Sequence, residues 1–197
     1  MRESAQRERR RLIEEAAYEL IDEKGYDNIS MLAIAKRAKA SNETLYRWYG
    51  DKKGLFQAMV IRNADDVYES LVEDLDRQRD PMQILEDVSL KLLRLLSSDR
   101  AIALNRAAAA DPSGELGKAL SQVGRERVFP SITKVLTQIK EQGTFSDLEI
   151  DELGNLYLSL LIGDLQIRRA IGVMPVPSEA ELKTKTRKAL DHLLKFA

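Results

Sequence analysis

The segment SMLAIAKRAKASNETLYRWYGDKKGL, residues 30–55, constrains the fold more than any other part of the chain. It holds two short apolar-periodic runs about three residues apart, the connection length of two helices joined by a tight turn. Ser30 precedes the first run and can accept a hydrogen bond from an unpaired backbone N–H, which starts a helix. Within that run Ile34, Ala35 and Ala38 share one face, with Lys36, Arg37 and Lys39 outside it. Ser41 precedes the second run, where Leu45 and Tyr49 recur at i, i+4. Asn42, Thr44, Arg47 and Trp48 then fall on other faces, available to an outside partner. Asp51 can cap a third helix beginning at Lys52, with Leu55, Phe56, Met59 and Val60 as its apolar stripe.

Two helices in this arrangement form a helix-turn-helix, whose second helix enters the major groove and meets base edges with its N-terminal residues. Those residues are Ser41, Asn42, Glu43 and Thr44. Asn can pair bidentately with adenine, and Thr can hydrogen-bond a base or pack on a thymine methyl. Tyr46, Trp48, Lys52 and the serines suit phosphates, which fix register without reading sequence. A packed core has no need of Ser, Asn, Thr, Tyr, Arg, Trp and Lys within twelve residues. The basic N-terminal end on an acidic remainder points the same way, although the whole chain carries a net charge of only −1.

With 197 residues and 44% apolar content the chain can bury a real core. It has no cysteine, which excludes disulfides and thiolate metal sites and fits a cytoplasmic protein. The single histidine, His192, excludes multi-histidine metal sites. With no phosphate-binding glycine loop and no metal-ligand spacing either, neither an enzyme nor a cofactor is expected. No apolar run approaches the roughly 20 residues of a membrane span. The basic start MRESAQRERRR leads into no apolar stretch, so no signal peptide is expected.

Nearly all the rest reads as helix, since period-2 alternation is absent and Gly and Pro cluster at breaks. The expected fold is all-α, with about nine helices. Residues 1–51 would form a three-helix DNA-binding domain, with the motif at about 30–49. Residues 52–197 would form a larger ligand-binding and dimerisation domain, joined through a long helix at 52–76. Leu12, Ile13, Ala16, Ala17, Leu20 and Ile21 give helix 1 its stripe, ended near Gly25. Asp80-Pro81 starts helix 5, and helix 6 covers about 100–109. Helix 7 is expected over about 115–142, kinked or split by Pro130. Helix 8 is expected from a capping box at Ser146 and Glu149 to about Ile171. Helix 9 runs from Ser178, boxed by Glu181, to the C-terminus.

Helix 8 is apolar on more than one face, and helix 9 offers a second apolar face. Two such helices from each of two copies would make a four-helix seam, with Leu160, Asp164, Ile167, Leu190 and Leu193 as its candidate residues. Polar residues set among apolar ones need partners, and Asn105, Arg106, Asp164, Gln166 and Arg168 stand out in this way. Asp164 and Arg168 can also simply pair at i, i+4. The candidate pocket wall, chosen for spacing and mixed character, is Leu92, Leu96, Asn105, Arg106, Phe129, Tyr157 and Leu161.

Roughly residues 6–60 resemble the TetR family of bacterial transcriptional regulators. The segments RERRRLIEEAAYELIDEKGYDNIS, MLAIAKRAKAS and NETLYRWYGDKKGLF carry the likeness. So do Gly25-Tyr26 and the pattern Leu45-Tyr46-x-x-Tyr49-x-x-Lys52. By this resemblance Ser30, Asn42, Thr44, Tyr46, Trp48 and Lys52 would touch DNA, and Ser41 and Arg47 join them from the reading of the helix. Leu32, Ala33 and Glu43 depart from the family's usual polar or basic choices. LNRAAAADPSGELGKAL and LLIGDLQIRRAIGVMPVPSEAEL resemble the C-terminal domain of AefR-like repressors. The resemblance implies a homodimeric repressor on a palindromic, double-stranded DNA operator. A small hydrophobic or amphipathic effector would release it, with no membrane partner. The rival is an architectural or non-specific helical DNA-binding protein without a ligand.

Overall fold

The computed structural model describes residues 2–77, 79–145 and 147–197, and among them there are helices and no strands. In order these are α1 (Arg2–Lys24), α2 (Met31–Arg37), α3 (Asn42–Tyr49), α4 (Lys52–Asp76), α5 (Pro81–Ser97) and α6 (Asp99–Ala110). They continue with α7 (Glu115–Val123), α8 (Phe129–Glu141), α9 (Ile150–Ile162), α10 (Leu165–Ala170) and α11 (Glu179–Leu193). A π-helical turn, Gly124–Val128, precedes α8, and a 3₁₀ turn, Leu194–Phe196, ends the chain. No described helix is long and apolar enough to cross a membrane.

Two expected helices are each broken in two. The helix expected over 115–142 splits into α7 and α8 around the π turn. Pro130 lies in the first turn of α8, where no N–H is needed, because inside a continuous helix its ring would strike the carbonyl four residues back. The helix expected over 146–171 breaks at Gly163, whose φ of 53° turns the chain out of the helix, so α10 is a separate element. Ser146 lies outside the described residues; α9 begins at Ile150 after Glu149, which makes no side-chain cap. The other boundaries fall close to expectation. Ser178 and Glu181 form the full capping box of α11, and Asp80 caps α5 by accepting from the Gln83 N–H at 3.0 Å.

The chain forms two compact units. The first comprises residues 1–62 and 103–121, the second 63–102 and 122–197. The expected boundary at 51/52 therefore falls inside the first unit, which also takes in most of α6 and of α7. In the first unit Ile13, Ala16, Ala17, Leu20 and Ile21 of α1 are buried with Ile34, Leu45, Leu55 and Phe56. Leu12, counted in the stripe, is exposed instead. Lys53 pairs with Glu115 within this unit.

The core of the second unit is built from α5, α8, α9 and α11 with the later residues of α4. Tyr157, fully buried, shares a 2.9 Å hydrogen bond with Ser89 inside it, and burial holds its phenol well above the ordinary range. Arg169 of α10 is buried and donates to the Ser97 carbonyl (3.0 Å), the Met174 carbonyl (3.0 Å) and Asp99 Oδ1 (2.6 Å), which ties α10 to the α5–α6 corner.

Candidate nucleic-acid interface

The turn between α2 and α3 is set by backbone geometry. The Ala40 N–H donates to the Ala35 carbonyl (2.9 Å) and the Lys39 N–H to the Lys36 carbonyl (3.2 Å), closing α2 with a Schellman pair. Lys39 takes the left-handed position with φ of 50°, which usually falls to Gly or Asn. Arg9 of α1 donates to the Lys39 carbonyl.

Ser30 and Ser41 do what their positions suggested. Ser30 Oγ accepts from the Ala33 N–H (3.2 Å) and starts α2, while Ser41 Oγ accepts from the Thr44 N–H (3.1 Å) and starts α3. Ser41 Oγ and Thr44 Oγ1 also share a 2.7 Å hydrogen bond, so these two hydroxyls are partnered locally. Leu45 and Tyr49 point inward, and Glu43, Tyr46 and Arg47 are exposed along the opposite side of α3, with Tyr46 at 50%.

Three of the expected DNA-touching residues are half-buried, and two of them, Trp48 and Lys52, are engaged within the protein. Asn42 is half-buried, and its Oδ1 is enclosed without a protein hydrogen-bond partner, so bidentate pairing with a base first requires the amide to rotate. Trp48 is half-buried beneath the Arg10 guanidinium, 5.5 Å from the ring centroid. Lys52 Nζ donates to the carbonyls of Tyr26 (3.0 Å), Ile29 (3.2 Å) and Asp27 (3.5 Å). An ammonium has three hydrogens, and these carbonyls occupy them, so a phosphate would have to compete with the α1–α2 loop. The same Nζ lies 4.3 Å from the Tyr26 ring centroid. Burial and then Asp51 push the Tyr26 phenol up to about 12. Arg37, exposed on α2, pairs at the surface with Glu19 (3.0 Å) and Glu23 (2.9 Å) of α1.

Sequence reasoning missed the contribution of α1. Arg9, Arg10 and Glu14 reach the turn, Trp48 and Tyr49 respectively. Glu14 stood in plain view, an acid beside Ile13 in the apolar stripe, and its depth only emerged from packing.

Two short capped helices, a four-residue connection and an exposed polar face on the second helix constitute a helix-turn-helix. The region matches the bacterial regulatory proteins of the tetR family over residues 13–59, and residues 83–196 match the C-terminal domain of AefR-like transcriptional repressors. The second match alone covers more than half of the chain. The chain belongs to the TetR family.

This TetR-family chain is 36% identical over 94 residues to HTH-type transcriptional regulators of several Staphylococcus aureus strains, across 46% of its own length. It spans about half the length of these curated relatives (50%). A TetR-family transcriptional regulator from Mesorhizobium loti superposes with a TM-score of 0.76 at 25% identity, covering 95% of this chain and 96% of that one. Thermus thermophilus FadR, a TetR-family repressor solved with lauroyl-CoA, shares the fold at a TM-score of 0.63 and 20% identity, covering 95% and 94%.

The candidate pocket residues of this TetR-family chain fall in both units. Leu92, Leu96, Phe129, Tyr157 and Leu161 belong to the second unit, where Leu92, Tyr157 and Leu161 are core residues. Asn105 and Arg106 belong to the first unit, and Arg106 is exposed. No three His, Cys, Asp or Glu among the described residues are placed to hold a metal ion.

The candidate seam is likewise divided. Ile167, 68% exposed, and Asp164 face outward, and Arg168 lies 3.9 Å from Asp164 as the i, i+4 pair. Asp164 stands in the break after Gly163, not inside an apolar helix. Leu190 and Leu193 are enclosed by their own chain, Leu193 to 1%, and fill its core instead of offering area to a partner. Leu160 is half-buried and borders an open groove of about 550 Å³ with Lys185, Lys188 and His192 of α11.

Proposed function

We propose that the protein is a ligand-responsive repressor that binds a palindromic operator as a homodimer and is released by a small amphipathic effector. The observation that carries this reading is α3. It is capped by Ser41, buried by Leu45 and Tyr49, and exposes Glu43, Tyr46 and Arg47. One such helix reads few base pairs, so specificity calls for two copies on a two-fold site. Exposed Ile167, with Leu160 at the groove, supplies apolar area on α9 and α10 for a second copy.

The effector class is supported by relatives of the same fold. Thermus thermophilus FadR was solved with lauroyl-CoA and Bacillus subtilis FadR with stearoyl-CoA. The second unit here has the apolar core and buried hydroxyls, Ser89 and Tyr157, that an amphipathic molecule would need. An effector acts only through different affinity for the two states. A 100-fold loss of operator affinity corresponds to about 2.7 kcal/mol of coupling. The helix α4, whose residues belong to both units, is one covalent route for it, beside α6 and α7. The site of action is the cytoplasm, where bacterial DNA lies.

Selection of random duplex DNA by the purified protein tests this reading. Recovery of a palindrome with half-sites about one helical turn apart is expected. Enrichment of no sequence, with binding governed by salt alone, would show a non-specific DNA-binding protein.

A further inference from the structure

The first unit contains one carboxylate that its core does not need for volume. Glu14 of α1 is 4% exposed. Its Oε1 accepts from the Tyr49 hydroxyl at 3.3 Å. Its Oε2 lies 2.5 Å from Arg62 Nε, an ion pair in which the N–H is not directed at the oxygen. Tyr49 is the last residue of α3, and Arg62 lies on α4. Arg10, one turn earlier on α1, stacks over Trp48, the neighbour of Tyr49. Charged groups at i and i+4 of α1 thus hold the final two residues of the reading helix.

We infer that Glu14 is a positioning residue for operator recognition: its buried carboxylate fixes the rotation of α3 by the Tyr49 hydroxyl and ties it to α4 through Arg62. The inference rests on the operator-binding reading above. Apolar contacts are non-directional and tolerate a helix turning about its axis. A hydrogen bond holds its partners within a few tenths of an ångström. Side-chain tips stand roughly 5–6 Å from a helix axis, so a 20° turn moves a base-facing group by about 2 Å. That displacement is enough to break base-edge contacts while leaving looser phosphate contacts in reach.

The electrostatics agree with a residue retained for direction. Burial raises the Glu14 carboxyl above its ordinary range, opposed by Arg62, the Tyr49 hydroxyl and Arg10. The charge is therefore held at a cost in stability, and a neutral replacement relieves it. Arg62 is 40% exposed and stays hydrated when its partner is removed.

The test uses the full chain and the operator recovered by selection. Affinity for that operator and for a scrambled duplex of equal length is measured at one salt concentration for wild type, E14Q, Y49F and the double variant, each with a melting curve. E14Q is expected to lower the operator-to-scrambled ratio about tenfold, with scrambled affinity unchanged and a melting temperature equal to or above wild type. Y49F should lower the same ratio, and the double variant should add little, because both act through one contact. Acidification should lower the wild-type ratio as Glu14 takes up its proton among Arg10, Tyr49 and Arg62, and E14Q should remove that dependence. An unchanged ratio in folded variants overturns the inference. So does a parallel fall of operator affinity, scrambled affinity and melting temperature, which marks a merely structural pair. If E14Q does not fold, Y49F decides by the same two outcomes. A wild-type chain that selects no sequence overturns the operator reading and this inference together; selection by wild type with unchanged variant ratios overturns the inference alone.

Discussion

Gly54, in the first turn of α4, lies directly against the carbonyl oxygen of Tyr49 at the end of α3; a Cβ at position 54 would stand inside van der Waals contact with that oxygen. The obstacle is backbone, which cannot rotate aside as a side chain can. The two helices meet here through Asp51, whose Oδ1 accepts from the Gly54 N–H at 2.7 Å. Absence of a side chain at 54 sets how closely the reading helix and α4 approach.

Gly54→Ala should therefore destabilise the first unit by about 3 kcal/mol, the upper range for forced overpacking. Thermal melting measures it. Operator affinity should fall with it, since α3 or α4 must move to admit the methyl group. A variant that melts with wild type would show that the joint yields easily.

Lys52→Met should act through stability before it acts on DNA. It removes the donor shared by the Tyr26, Asp27 and Ile29 carbonyls, a loss of about 2 kcal/mol for charge-assisted hydrogen bonds. The salt dependence of DNA binding should stay as in wild type. A slope lowered by about one would instead return Lys52 to the phosphate contacts.

The homodimer should respond to Ile167 and not to Leu193. Ile167→Glu with Leu160→Glu places charge on exposed or half-buried apolar surface and should give a folded monomer in sedimentation at micromolar concentration. Leu193→Glu places charge in the chain's own core and should unfold it. A dimeric, folded L160E/I167E variant would move the interface elsewhere.

The start of α11 should loosen in acid. Glu181 accepts from the Ser178 hydroxyl and backbone N–H, both at 2.7 Å, and these bonds lower its carboxyl below 4.5. A lowered carboxyl binds its proton less readily when folded, so its contribution is present above pH 4.5 and is lost as pH falls through the lowered value. Amide exchange in the first turn of α11 should rise over that window in wild type, and Glu181→Gln should flatten the response. Ser178→Ala should cost about 1 kcal/mol.

Local signals carried most of the fold from the sequence alone. Helix periodicity, the serine caps at 30, 41 and 178, and the breaks at Gly25 and Asp80-Pro81 act within a few residues, so they could be read directly. The same logic placed the helix-turn-helix, while the family came from the resemblance of its residues to a known one. Tertiary structure decided what each side chain does. Lys52 and Trp48 looked like a nucleic-acid surface, yet the charge of one and the ring of the other meet α1 and its following loop, because residues far apart in sequence supply the carbonyls and the guanidinium they meet. Leu190, Leu193 and Ile167 are equally apolar in sequence, and only packing separates the two that fill the chain's own core from the one left facing outward. Periodicity fixes which residues share a helix face; it cannot fix what that face meets, since burial and pairing are properties of contacts between distant segments.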